Sequence, residues 1–111
     1  MAINTAGKNL MLDALGEVST YMALYSDASG TTEITGGEYE RKAVTWANAA
    51  NGSNAMSGSL VFDIPSGATV QAIGIVSAST GGTQYAFDDV TSESFGGAGT
   101  YTVTSYTVSL T

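Results

Sequence analysis

Apolar residues recur at spacings of three and four only near the start of the chain. There Ala6, Leu10, Met11, Ala14 and Leu15 fall on one stripe. This predicts an amphipathic helix over 5–15, capped by Asn4 or Thr5 accepting a backbone N–H and ended by Gly16 in a left-handed conformation. A helix of about three turns is marginal in isolation. The stripe must therefore pack, either on the chain's own sheet or on a neighbour.

After Gly16 the apolar period shortens towards two, the signature of strands. Strands are expected over 20–26, 39–47, 55–64, 68–78, 84–87 and 100–110. Trp46 is the large apolar anchor of the second, while Leu60, Phe62 and Ile64 alternate towards a core in the third. The fourth is apolar on both faces around Ile73 and Ile75, which predicts a central position. Asn51-Gly52 supplies a type I′ hairpin signal, and Pro65-Ser66-Gly67 and Thr80-Gly81-Gly82 mark further turns. The stretches 26–37 and 88–99 read as polar loops. The expected fold class is mainly β: one antiparallel β-sandwich domain over 1–111, immunoglobulin-like or jelly-roll-like, with a single short N-terminal α-helix. Strands and helices do not alternate, which excludes a doubly wound or TIM-type architecture.

Composition sharpens the picture mainly by exclusion. Charged residues form 12% of the chain, about half the usual share, which suits a turn-rich sheet better than long solvated helices. Ten acidic residues against three basic ones give a net charge of −7. Lys8, Arg41 and Lys42 cannot form a phosphate-neutralising patch, so neither nucleic acid nor an anionic membrane surface is an expected partner. The opening MAINTAGKNL has neither a basic segment nor a long apolar core, so no secretory signal is expected.

Histidine and cysteine are both absent. That removes the commonest general base, thiol chemistry, disulfides and the usual transition-metal ligands. No cofactor and no catalytic centre are expected. Asp88, Asp89 and Glu93 cluster in FDDVTSE, but they lack EF-hand spacing and read best as solvated loop charges. The G-x-G in 96–99 precedes a strand where a dinucleotide fingerprint would open a helix. Trp46 and the tyrosines would suit a sugar-binding face, although strand and interface packing accounts for them more simply.

Three phrases carry a resemblance: INTAGKNLMLDALGEVSTYMALYSD, GGEYERKAVTW, and SASTGGTQYAF with ESFGGAGTYTVTSYTVSLT. Together they resemble a family of small bacteriophage virion structural proteins, often labelled tail-fibre or minor structural proteins. The resemblance implies a non-enzymatic capsid decoration (cement) protein. It would bind the major capsid protein lattice on the outer virion surface, as a homotrimer on local three-fold positions. The alternative it implies is a tail-fibre or tail-associated module recognising host surface glycans. In either case the chain is made in the host cytoplasm. The residues expected at the interface are Leu10, Met11, Ala14 and Leu15, followed by Trp46 and Tyr39, since aromatic side chains tend to anchor interfaces.

Overall fold

A computed structural model describes residues 2–110, so Met1 and Thr111 of the expected 1–111 domain lie outside it. The described residues form one helix, α1 (Thr5–Val18), and eight strands: β1 (Tyr21–Tyr25), β2 (Lys42–Ala43), β3 (Ser53–Ala55), β4 (Leu60–Ile64), β5 (Thr69–Val76), β6 (Gln84–Ser94), β7 (Gly99–Val103) and β8 (Thr107–Ser109). All strand pairings are antiparallel. The mainly β, antiparallel sandwich read from the sequence is the observed class.

One layer is a four-stranded sheet in the order β2-β1-β5-β6. Residues paired across an antiparallel ladder share a face. Met22↔Ile75 and Leu24↔Ile73 therefore point inward, and Tyr25↔Ala72 and Ala23↔Gly74 point outward. Both faces of β5 are buried, as its double-sided apolar pattern predicts. On the outer face the Tyr25 ring lies over Gly74, where a Cβ would fall 2.6 Å from Tyr25 Cε1. Only glycine leaves room for the ring there.

The second layer is a ribbon pairing β3 with β8 and β4 with β7. Between Ala55↔Thr107 and Leu60↔Val103 one chain advances five residues and the other four. The ribbon is thus one long antiparallel pair of chain segments, 53–64 against 99–109, broken by one extra residue near Gly58 at φ +81°. The expected strand 100–110 is accordingly two strands. The core fills the space between the layers with Met22, Leu24, Phe62, Ile64, Val70, Ile73 and Val103.

Four other expectations need correction. The helix does not stop at Gly16 but runs to Val18, with Ser19 N donating to Leu15 O at 2.8 Å. Gly16 serves close approach instead, since a Cβ there would lie 3.1 Å from Asn54 Nδ2. The expected strand 39–47 changes layers: Lys42–Ala43 pairs with β1, whereas Ala47 N donates to Ala55 O beside β3. The expected loop 88–99 begins as strand, because β6 continues to Ser94. At a sheet edge water reaches both faces, so the apolar alternation that marks a strand is missing. The loop 26–37 is not wholly exposed either, since Gly30 and Ile34 are buried.

Two local expectations hold. Asn4 caps α1, its Oδ1 accepting from Gly7 N at 2.9 Å. Asn51 and Gly52 both have positive φ, and Ala50 and Ser53 exchange backbone bonds around them, as a type I′ turn requires.

Candidate functional site

Helix α1 is held to the body of the protein by its polar side. Asn9 Oδ1 accepts from Gly52 N at 3.0 Å, and Asp13 Oδ1 accepts from Ala49 N at 2.8 Å. Asn54 Nδ2 donates to Leu12 O at 3.1 Å, and Leu12 is the one helix residue that is buried, at 1% exposure. These contacts use the turn at 48–53, so the hairpin signal and the helix orientation are linked. Directional bonds of this kind, of which that of the buried Asn54 is shielded from water, fix angles that apolar packing alone leaves free.

The consequence is an outward apolar face. Leu10 is 73% exposed and Met11 47%, with Ile3, Ala14 and Val18 also exposed and Gly7 between them. Within the helix, residues 7, 10, 11, 14 and 18 fall within an arc of about 100° at 3.6 residues per turn, and the Ile3 side chain, ahead of the Asn4 cap, lies against Gly7 at its end. Four of the residues expected at an interface are on this helix. Leu10, Met11 and Ala14 are exposed together, and Leu15 is half-buried at the margin. Ile3 and Val18 complete the stripe and lie outside the expected set. Continuing the same spacing past Gly16, from Met11 through Ala14 to Val18, points to the latter.

Trp46 and Tyr39 are not part of that face. The Trp46 indole N–H donates to Ser19 O at 2.8 Å, its ring meets Tyr106 edge-on at 6.3 Å, and the backbone of Gly16 lies against it. Tyr39 stacks on Phe62 at 6.4 Å; its hydroxyl donates to Glu33 Oε2 and accepts from Leu24 N. Burial pushes the Tyr39 phenol well above its ordinary range, so it stays a neutral donor. Burial, with the charge of Asp88 adding to it, pushes Tyr106 up to about 12. Both expected aromatic residues are used inside the fold.

A cleft of about 450 Å³ opens between α1 and residues 44–48, with Asp13, Glu17, Trp46 and Asn54 among its walls. Ser19 Oγ and Asn54 Oδ1 are buried behind it without a hydrogen-bond partner among the described residues. Asp88, Asp89 and Glu93 do not converge. Asp88 shares the face of Ile73 and Asp89 the opposite face with Ala72, because neighbouring strand residues alternate. Among the described residues no group of three His, Cys, Asp or Glu is placed to hold a metal ion.

The family described as podophage GP4 fiber I protein gp80 matches residues 5–111. The chain belongs to this family. Among curated proteins and among solved structures, nothing matches it. Membership places the chain among small phage virion structural proteins, in agreement with the resemblance carried by its sequence.

Proposed function

We propose that this chain is a non-catalytic component of the phage's fibre apparatus, attached to another virion protein through the outward stripe of α1. The observation that carries the reading is the orientation of the helix. Polar bonds to the 48–53 turn hold Leu10, Met11 and Ala14 in water, where their exposure is unfavourable unless a partner covers them. The family's own description supplies the fibre context. Glycan recognition through Trp46 or Tyr39 has less support, because the indole N–H and the phenol hydroxyl are already committed within the fold.

A second reading, a capsid decoration protein bound to the major capsid protein, is favoured by size. The molecule is 48 × 24 × 21 Å, with no shaft-like extension among the described residues. The same stripe would then face the shell or a second copy in a trimer. Quantitative mass spectrometry of purified virions separates the two. The fibre reading expects a copy number of a few to a few tens, and a number on the order of hundreds would replace it with the decoration reading.

A further inference from the structure

The four-stranded sheet ends in a long free strand. β6 has eleven residues and, among the described residues, pairs only with β5, whereas the opposite edge strand β2 has two. Alternate residues of an edge strand direct their N–H and C=O groups away from the sheet, and these can pair with another chain. Outside the β5 ladder, no backbone hydrogen bond among the described residues engages 84–94. The ladder is regular where Ala72–Ile75 face Asp89–Ala86, and it is interrupted on both sides, at Tyr85 and over 90–92. The regular stretch holds Phe87, 48% exposed, with Tyr85 beside it at 45%.

The charge of this edge decides what fits it. From 84 to 94 there is no Lys or Pro, two residues that commonly blunt free edges; the charges present are Asp88, on the inward face, with Asp89 and Glu93. A second copy of β6 laid alongside would set carboxylates against carboxylates, which disfavours self-pairing. A strand bearing lysine or arginine would meet opposite charge at the same positions, with apolar residues between them to cover Tyr85 and Phe87. We propose that β6 is a docking edge for an extended, basic segment of a different virion protein, which adds to the sheet as a fifth strand. This surface is separate from the α1 stripe, and each can be tested without the other.

The test is amide hydrogen exchange of the chain in intact virions compared with the purified chain, read separately for 84–94 and for α1. Exchange over 84–94 is expected to slow by about tenfold or more in the virion, whatever happens at α1. A double variant, Asp88→Lys with Asp89→Lys, is expected to keep the thermal midpoint of the free chain and to enter virions at least about fivefold less. If that variant is unstable, Asp88→Asn with Asp89→Asn provides the same comparison with a smaller expected loss. Equal exchange over 84–94 in virion and free chain would overturn the proposal, as would unchanged incorporation of a folded charge variant. Protection of 84–94 already present in a self-associated free chain would assign the edge to a second copy and overturn it too.

Discussion

The two edges of the four-stranded sheet are finished differently. Beside β1, the backbone groups that β2 leaves unpaired are taken up by the segment 33–39. Ile34 N donates to Leu24 O at 3.0 Å, Leu24 N donates to the Tyr39 hydroxyl at 2.9 Å, and Glu33 bridges Tyr25. Arg41 then locks that segment in place. It forms a pair of bonds with the two Glu33 oxygens at 2.9 Å and donates to Ala78 O and Gly81 O of the neighbouring hairpin. Hydrogen bonding to Glu33 keeps the guanidinium protonated even above its ordinary range. Beside β6 the described residues supply no such cover and no paired cation. One edge is sealed from within, and the other is left for another chain. The same contrast holds for α1, whose polar side is bonded inward and whose apolar side is left free.

The largest effect expected from breaking the sealed edge is that of Arg41→Ala. Removing a cation 12% exposed strands Glu33 and two carbonyls, and urea unfolding should show a loss of about 2–3 kcal/mol. Tyr39→Phe keeps the stack on Phe62 but leaves Leu24 N without its acceptor. Denaturation should register about 1–2 kcal/mol.

The free surfaces should behave in the opposite way. Leu10→Ser with Met11→Ser removes no internal contact of weight, so the thermal midpoint should move by less than the equivalent of about 0.5 kcal/mol. Incorporation of that variant into virions should nonetheless fall several-fold. The smallest effect is confined to a loop. Asp27 accepts from Thr31 N, Thr32 N and Ser29 Oγ, and the Thr31 hydroxyl also donates to it. These bonds, led by that of the Thr31 hydroxyl, lower its pKa from 3.8 to about 2. A depressed carboxyl pKa contributes stability that is complete above the unfolded value and is lost as pH falls through the folded one. The protection of the Thr31 and Thr32 amides, taken relative to their intrinsic exchange rate at each pH, should therefore fall between about pH 4 and pH 2 while the core stays protected.

Much of this architecture is legible in the residues. Apolar periodicity shows the N-terminal helix, the central β5 and the inward set Phe62 and Ile64, because each is a local pattern with one wet and one dry side or with two dry ones. Asn51-Gly52 shows its turn because only residues tolerant of positive φ fit there. The features that escaped are set by distant partners. Which side of α1 faces inward depends on Asn9 and Asp13 meeting backbone donors about forty residues away, while the apolar count alone points the stripe at a packing surface. The end of the helix at Val18 and the close approach at Gly16 depend on Asn54 and Trp46. β6 carries no periodic signal because it has no dry side along most of its length. The centre of the stripe, Leu10, Met11 and Ala14, is visible in the sequence; its exposure and its extension to Val18 required the fold.

Cryo-electron microscopy of intact virions tests the attachment claim most directly. The account predicts density for this fold with the Leu10, Met11, Ala14 and Val18 face of α1 buried against another virion protein. A fold found in the particle with that face open to solvent, and its contacts made elsewhere, would contradict it.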